Sequence, residues 1–240
     1  MKSIEVKVMK TTTLLFAGYR FPRDIIAHAV WLYHRFNLSF RDVEDLLAER
    51  GITVTYETIR QWCLTFGPEF AKSLRHRRGR PGDTWFLDEV FVRIGGRLRY
   101  LWRAVDQDGE VLDILVQEHR NTRAAKRFFR KLLKGLHYAP RILVTDKVGS
   151  YRVAKHALLS DTRHRTERWQ NNRAEVSHQP TRQRERQMRR FKSMEQAQRF
   201  LSVHGSINNL FRVGRHLLRA AHHRVFRARA FHVWNEVTCA

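Results

Sequence analysis

Three acidic side chains occupy positions where an isolated carboxylate is costly unless it is paired or bound to a metal ion. Asp88 lies inside the mostly apolar run 85–92, Asp146 closes the apolar run 142–145, and Glu175 follows a pair of asparagines. The chain around them has a formal net charge of +23, with 46 Lys and Arg residues against 23 Asp and Glu residues. Because hard oxygen ligands favour Mg²⁺ or Mn²⁺, the three acids predict a divalent-metal site in a protein that acts on a polyanion.

The chemistry that such a site performs is phosphodiester displacement. Two metal ions about 4 Å apart activate the attacking oxygen and stabilise the leaving oxygen of an in-line reaction. We therefore expect Asp88, Asp146 and Glu175 to be both the catalytic residues and the ligands of two Mg²⁺ or Mn²⁺ ions. Runner-up ligands, for which turn or edge roles are simpler, are Asp106, Asp108 and Asp113.

Structural roles are the alternatives for the three acids. Asp88 has many arginines available as ion-pair partners, and Asp146 stands where a turn or a helix cap would also place an acid. Glu175 has the spacing of a capping box begun by Asn172. The joint occurrence of the three at strand and helix positions favours the metal site.

From residue 83 onward the apolar residues follow a period of two in short runs, which is typical of strands. The pattern predicts strands over 84–94, 98–105 and 110–117, a helix over 122–136 and a nearly all-apolar strand over 141–146. Three antiparallel strands, a helix and a buried fourth strand are the beginning of an RNase H-like α/β fold, in which helices flank a mixed sheet. A helix around 151–159, a weak strand near 162–169, a helix from about 172 and a long helix carrying the apolar repeat 194–210 complete it.

This fold places the three acids near one another. The first and fourth strands are neighbours, and Asp146 lies at the carboxyl end of the fourth strand, where α/β sheets bind ligands. Asp88 shares a strand face with Phe86 and Val90, so its carboxylate projects among apolar neighbours. Glu175 arrives on a helix packed against the sheet.

The N-terminal region 23–66 predicts three helices. Ser39 is a suitable N-cap for the second helix, which Gly51 stops. Thr55 is a suitable cap for the third, and Gly67-Pro68 is predicted to end it. Two short helices around a glycine turn, with polar residues on the outer face, are typical of a helix-turn-helix.

Basic residues predict contact with DNA along much of the chain. The stretch 75–82 combines a charge run with Gly and Pro, and it is either a solvated linker or a segment that follows a phosphate backbone. The segment 182–192 carries basic residues on nearly every side of a predicted helix. Trp102 and Trp169 are candidates for stacking on an unpaired base, with core packing as the simpler alternative. His178, one turn after Glu175, is expected on a DNA-facing surface, with a fourth metal ligand or a proton carrier as the alternative. The full set of expected DNA-binding residues is Thr58, Arg60, Gln61, Arg77, Arg78, Arg80, His178, Arg182, Arg186, Arg189, Arg190 and Lys192.

Composition limits the compartment and the domain organisation. Cys63 and Cys239 lack paired spacing, which argues against a disulfide framework and favours a reducing cytoplasm. No apolar run approaches the roughly 20 residues of a membrane span, so we expect a cytoplasmic protein, associated with the nucleoid when bound to DNA. The predicted organisation is an N-terminal extension (1–20), a small all-α helix-turn-helix domain (21–70), a basic linker (71–83), an RNase H-like catalytic domain (84–212) and a basic C-terminal tail (213–240).

Several motifs resemble one known family, the transposases of the insertion-sequence family numbered six. The likeness covers about residues 20–212 and is most specific around Glu175. Val176 and the stretch 167–169 depart from the family pattern. The motifs that carry the resemblance are SFRDV (39–43), LAERG (47–51), DE (88–89), RAVD (103–106), TDK (145–147), SY (150–151), NNRAE (171–175), SHQPTR (177–182) and RERQMRRFKS (184–193).

The resemblance implies a DDE transposase whose triad is Asp88, Asp146 and Glu175. It also implies Mg²⁺, recognition of terminal inverted repeats, attack on a target duplex and replicative movement through cointegrates. Because two element ends must be held together, we expect a homo-oligomer of at least two protomers. Two other classes remain open: an inactive or regulatory helix-turn-helix protein derived from a transposase, and a non-specific metal-dependent nuclease.

Overall fold

The computed structural model describes residues 15–146, 149–167, 171–212 and 218–238. The chain forms two compact units, one made of Met1–Arg77 with Ser206–Ala240 and the other of Arg78–Gly205. The predicted boundaries at residues 70, 83 and 212 differ from this division, because the C-terminal segment belongs to the same unit as the N-terminal helices.

The first unit begins with three helices: α1 (Arg23–Arg35), α2 (Phe40–Ala48) and α3 (Tyr56–Arg77). The predicted cap at Ser39 is confirmed. Its hydroxyl accepts from the Asp42 amide at 3.1 Å, and the Asp42 carboxylate accepts from the Ser39 amide at 2.7 Å. Gly51 follows α2 with a φ of 73°, a left-handed conformation that glycine adopts without steric cost.

The predicted end of the third helix at Gly67-Pro68 is wrong, since α3 continues through Pro68 to Arg77. Proline removes one intrahelical hydrogen bond, but the helix continues because Phe70 and Leu74 are buried beyond it. Packing therefore overrides the local signal, and residues 71–77 of the predicted linker are helical.

The second unit contains a five-stranded sheet in the order β3-β2-β1-β4-β5. β1 pairs with β2 in antiparallel and with β4 in parallel orientation; β2 and β3 are antiparallel, and β4 and β5 are parallel. This arrangement confirms the predicted RNase H-like fold. The elements are β1 (Thr84–Ile94), β2 (Arg97–Asp106), β3 (Val111–Gln117), α4 (Thr122–Leu136), β4 (Ile142–Thr145), α5 (Gly149–Leu158), β5 (Arg163–Arg165), α6 (Asn172–Ser177), α7 (Gln179–Gln187) and α8 (Met194–Phe211).

Helices α4 and α5 cover one face of the sheet. Trp85, Leu87 and Trp102 on that face are fully buried against Phe128 of α4 and Tyr151 of α5. Trp102 therefore has the core role that was the alternative to base stacking, and Trp169 lies outside the described residues. This core holds β1 rigidly at the centre of the sheet.

The predicted helix after residue 172 is divided into α6 and α7 at His178. The predicted basic helix over 182–192 is also shorter than expected, because α7 ends at Gln187. Arg189 and Arg190 follow with φ values of 50° and 74°. Phe191 then pairs with Ile94, so the chain turns back to the edge of β1.

The first unit is completed by α9 (Ala220–Thr238), which lies in the predicted tail. Its Trp234 is buried, and its ring centroid lies 5.5 Å from that of Phe70 in α3. α9 is therefore a packed element and not a loose extension. Among the described residues, no helix has the length and apolarity needed to cross a membrane.

Candidate active site on the β1–β4 edge

Asp88 lies on the face of β1 opposite to Trp85 and Leu87 and is 7% exposed. Its Oδ2 is 3.2 Å from Nε2 of His178. Burial raises the pKa of the Asp88 carboxyl, while the Glu89 amide and the charges of Arg120 and Arg182 oppose this rise. A buried carboxylate with little direct compensation is the type of group that a cation stabilises.

Asp146 lies beside Asp88 because of the strand register. Leu87 of β1 pairs with Thr145 of β4, and each aspartate is the next residue along its parallel strand. Asn171 connects the middle of β1 to the residue after β4, since its Nδ2 donates to the Leu87 carbonyl at 2.9 Å and to Asp146 Oδ1 at 3.3 Å. The structure thus brings the first two acids to neighbouring positions, as the sequence predicts.

Glu175 lies one helical turn after Asn171, and its amide donates to the Asn171 carbonyl at 3.3 Å. The capping-box alternative is wrong: α6 has no side-chain cap, and Asn172 is its first residue. The N-cap is Asn171, whose Nδ2 donates to the Leu87 carbonyl and to Asp146 Oδ1, and whose Oδ1 accepts no hydrogen bond within the described part of the chain. The Glu175 carboxylate is exposed and, within the described part of the chain, makes no hydrogen bond or ion pair.

The three acids offer the hard oxygen donors that Mg²⁺ and Mn²⁺ prefer. Asp88 and Asp146 fit this role in position, and Glu175 is available on the adjoining helix. Across the described ranges, however, no three His, Cys, Asp or Glu side chains are close enough together to hold one metal ion. The donor set fits a divalent cation in its chemistry, and two of the three acids lie at neighbouring backbone positions, but the structure does not gather all three around one point.

His178 does not lie on a DNA-facing surface, and that prediction is corrected. The side chain is 1% exposed because the break between α6 and α7 directs it towards the sheet. Burial, reinforced by the charges of Arg103 and Arg182, lowers the pKa of His178 to about 2. The imidazole beside Asp88 is therefore neutral and does not act as a cation for that carboxylate.

Arg103 is a site-supporting residue that the sequence analysis did not identify. It lies on β2 directly across from Asp88 and is 3% exposed. Its guanidinium donates to the Ser177 carbonyl at 2.6 Å and to the Thr181 hydroxyl. One buried arginine thus anchors the end of α6 and the beginning of α7, the two helices that carry Glu175 and Arg182.

Glu89 was also missed, although it directly follows Asp88. It points into the α4–α5 side of the sheet, where its side chain is 1% exposed. The Tyr151 hydroxyl and Arg120 Nε donate to its two carboxylate oxygens. Burial raises the pKa of Glu89, and these two donors oppose the rise. The strand alternation is the signal that could have identified it, since Trp85, Leu87 and Glu89 share the core face.

The runner-up ligands have the simpler roles. Asp106 accepts from the amides of Asp108, Glu110 and Gly82, which makes it a turn residue. Asp113 forms an ion pair with Lys131.

The expected DNA-binding residues of the second unit differ in exposure. Arg78 is half-buried and donates to the Val111 carbonyl at 3.1 Å, and Arg80 lies 4.6 Å from the centroid of the Tyr138 ring. These two contacts give Arg78 and Arg80 structural roles within the unit. The other expected residues of this unit, Arg182, Arg186, Arg189, Arg190 and Lys192, have exposed side chains.

In the first unit, Arg60 and Gln61 are both bonded to Glu57. Arg60 Nε and Nη2 donate to the two Glu57 oxygens at 2.8 and 2.7 Å, and Gln61 Nε2 donates at 2.9 Å. Thr58 directly follows Glu57 and contacts Thr55, hydroxyl to hydroxyl, at 3.0 Å. These residues form the exposed first turn and a half of α3, after the α2–α3 turn. Arg77, at the other end of α3, pairs with Glu236 at 2.5 Å.

A sheet of this topology, with one acid inside its central strand and a second at the end of the neighbouring parallel strand, is typical of proteins that displace phosphodiester bonds. Residues 82–214 match the family model described as the DDE domain of IS240-type transposases. The chain is 32% identical over 168 residues to the transposase of the insertion sequence-like element IS431mec of Staphylococcus aureus, which covers 68% of this chain and 75% of the relative. It is 31% identical, with the same coverage, to the S. aureus transposase of IS257 in transposon Tn4003. The chain therefore belongs to the DDE transposases of the insertion-sequence family numbered six, and it is a DNA transposase enzyme.

Solved structures with some likeness include the HTLV-2 integrase catalytic core domain in complex with magnesium, in its trimeric form. That match has a TM-score of 0.40 and 11% identity and covers 60% of this chain and 94% of the integrase chain. A chain of the simian T-cell lymphotropic virus intasome, in complex with a PP2A regulatory subunit, matches with a TM-score of 0.40 and 15% identity, over 61% of this chain and 55% of that one. DDE transposases and integrase cores generally depend on divalent metal ions.

Proposed function

We propose that this transposase binds the terminal inverted repeats of its insertion sequence, cleaves one phosphodiester bond at each end and transfers the exposed 3′-hydroxyl to a target duplex. The product would be a cointegrate, as in replicative transposition. The single observation that carries this proposal is the parallel pairing of Leu87 with Thr145, which sets Asp88, inside β1, beside Asp146 at the end of β4.

Asp88, Asp146 and Glu175 would hold the metal ions. When bound, two Mg²⁺ or Mn²⁺ ions supply activation of the attacking oxygen and stabilisation of the leaving oxygen. Asn171 orients the Asp146 carboxylate through its hydrogen bond at 3.3 Å. Arg182 follows on α7, exposed and electrostatically coupled to Asp88, and is suited to hold the strand that is cut.

Recognition of the element ends is assigned to the helix-turn-helix formed by α2 and α3. Its polar residues Thr58, Arg60 and Gln61 stand at the start of α3, where a recognition helix contacts base edges. Glu57 holds Arg60 and Gln61 in the free protein, so DNA binding would exchange these bonds for contacts with bases. At least two protomers would be needed to hold two ends together.

A joining assay with labelled element ends tests the catalytic part. Wild-type protein should join ends to target DNA with Mg²⁺ and not with EDTA. Joining should be abolished, with DNA binding unchanged, in each of the variants Asp88→Asn, Asp146→Asn and Glu175→Gln. Asp108→Asn is the matched control, because Asp108 is an exposed turn acid and a runner-up ligand; its joining should stay near wild type. Retained joining in a triad variant would remove that residue from the site.

Two outcomes of the same assay would favour the other classes. Cleavage that ignores the terminal repeats would indicate a non-specific nuclease. Binding by the wild-type protein with no cleavage in Mg²⁺ or Mn²⁺ would indicate a regulatory or inactive binder.

End recognition is tested by comparing Arg60→Ala with Arg77→Ala. Loss of a base contact should cost about 1–3 kcal/mol and reduce the preference for end DNA over random duplex, whereas loss of a phosphate contact should weaken both about equally. Both arginines are exposed or half-exposed and paired to a glutamate, which makes them a matched pair. An unchanged preference in Arg60→Ala would place recognition elsewhere.

A further inference from the structure

A cavity lies beside the outer half of β1, past the end of β4. The described pairing of β1 with β4 stops at Leu87 and Thr145. Farther along, the Arg93 amide donates to Glu185 Oε1 at 2.9 Å, and the Gly95 amide donates to the Phe191 carbonyl at 3.0 Å. The end of α7 and the turn after it thus occupy this edge and line an open cavity of about 610 Å³, a size suited to a small ligand.

The cavity is strongly positive. Five of its lining residues are arginines, and the single acid, Glu185, is already engaged by the Arg93 amide. Arg189 and Arg190 are held there by a turn in which both have positive φ values and the Arg190 amide donates to the Glu185 carbonyl at 2.8 Å. Like charges crowded into one cavity repel one another, so an anionic group is the favoured occupant. The arginines are Arg93, Arg182, Arg186, Arg189 and Arg190.

The same cavity has an apolar wall. Phe91 is 49% exposed and Leu98 is 47% exposed, and the Phe91 ring lies 5.0 Å from the ring of Tyr100. A free phosphate or the backbone of an intact duplex has no group that would use such a wall. An unpaired nucleotide does, because its base stacks on an aromatic ring while its phosphate binds arginine.

Arg182 connects the cavity to the candidate active site, since it lines the cavity and its charge acts on Asp88. We propose that this cavity binds one unpaired nucleotide of the DNA strand next to the reacting phosphodiester, with the base against Phe91 and Leu98 and the phosphate among the arginines. The inference rests on the proposed function, because it takes the DNA at Asp88 as given. It goes beyond the phosphate contacts of the proposed function, because a site for one unpaired base makes the protein prefer DNA with an unpaired base over fully paired DNA.

Binding in EDTA tests the proposal separately from cleavage. The probes are two element-end duplexes with the same number of phosphates, one fully paired and one with unpaired nucleotides at the cleavage position. The wild-type protein should prefer the unpaired probe, and Phe91→Ala should reduce that preference by roughly 5- to 150-fold, the range expected for loss of one base–aromatic stack. Phe91→Trp should retain the preference.

Phe226→Ala is the matched control, because Phe226 is 47% exposed in the other compact unit. Its preference for the unpaired probe should equal that of the wild type. As a second measurement, 5-iodouracil at the unpaired position should photocrosslink to the peptide that contains Phe91, and the same label in paired DNA should not.

Each other outcome has a separate meaning. An equal preference in wild type and Phe91→Ala, with no crosslink to that peptide, would overturn the cavity proposal and leave the proposed function intact. A change in oligomer mass in Phe91→Ala with an unchanged preference would also overturn it and assign the surface to protein contact. Failure of the wild-type protein to bind either probe would instead contradict the proposed function itself.

Discussion

Replacing Tyr151 with phenylalanine removes one oxygen atom and keeps the buried ring. That oxygen donates to Glu89, whose side chain is 1% exposed, so within the described ranges the carboxylate would keep Arg120 as its one side-chain partner. A hydrogen bond to a charged group contributes about 1.5–3 kcal/mol, compared with about 0.5–1.5 kcal/mol for a neutral one. We expect Tyr151→Phe to destabilise the β1 region by about 2 kcal/mol, a change of roughly 30-fold in the opening equilibrium.

Tyr138→Phe is the control for this value. The Tyr138 hydroxyl donates to backbone carbonyls, including that of Gly82 at 2.8 Å, so the same substitution there removes a neutral hydrogen bond. Its expected cost is about 1 kcal/mol. Hydrogen exchange of the β1 amides under native conditions measures both variants locally, which avoids averaging over the two compact units.

Activity should fall together with stability in Tyr151→Phe. Glu89 is covalently next to Asp88, and Tyr151 is five residues after Asp146, so the Tyr151–Glu89 bond ties together the two segments that carry the aspartates. A misplacement of about 1 Å can cost up to 100-fold in rate, and we expect joining to slow by roughly tenfold. If Tyr151→Phe exchanges no faster than Tyr138→Phe and joins at the wild-type rate, the assigned role of this bond is wrong.

Two further variants test other parts of the second unit. Burial, with the charges of Lys155 and Arg152, lowers the pKa of His164. The unfolded chain therefore binds more protons than the folded one, and the free energy of unfolding falls as the pH drops from about 6.5 towards the folded-state pKa. His164→Gln should flatten this fall in urea unfolding between pH 5 and 7, and an unchanged slope would contradict the assignment. Arg103→Met leaves the Ser177 carbonyl and the Thr181 hydroxyl without their buried donor. It should lower the free energy of unfolding by about 2–4 kcal/mol in the same assay. A decrease below about 1 kcal/mol would show that Arg103 does not anchor α6 and α7.

The sheet and its first helix were predictable because their signals are local. Alternating apolar residues gave β1 its observed bounds of Thr84–Ile94, and the amphipathic repeat gave α4 its observed bounds of Thr122–Leu136. The continuation of α3 beyond Pro68 was not predictable from the local residues, because it depends on burial of Phe70 against Trp234, which is distant in sequence. Local chemistry determines an element only where no long-range packing competes with it.

The sequence was enough to predict the acids of the candidate site, but not the residues that hold them in position. Asp88 and Asp146 are visible as acids in apolar runs, and the fold makes their strands adjacent. Asn171 and Arg103 act on the site through contacts with elements 25 to 84 residues away, and no periodicity reveals such pairs. His178 was misplaced because its burial depends on a break between two helices that the sequence reads as one.

Pairing separates the structural acids of the sheet from those of the site more clearly than burial does. Glu89, Asp106 and Asp113 are bound by an arginine, by backbone amides and by a lysine, respectively. Asp88 is as buried as Glu89, yet within the described part of the chain it has no ion pair with Lys or Arg, and its neighbour His178 is neutral. In a chain whose cationic residues outnumber its acids by 46 to 23, an unpaired buried acid is unexpected on electrostatic grounds. An unpaired acid at this position is explained if a bound divalent cation supplies the compensating charge. By the same reasoning, replacing Asp88 with a neutral residue should raise the free energy of unfolding and at the same time abolish joining.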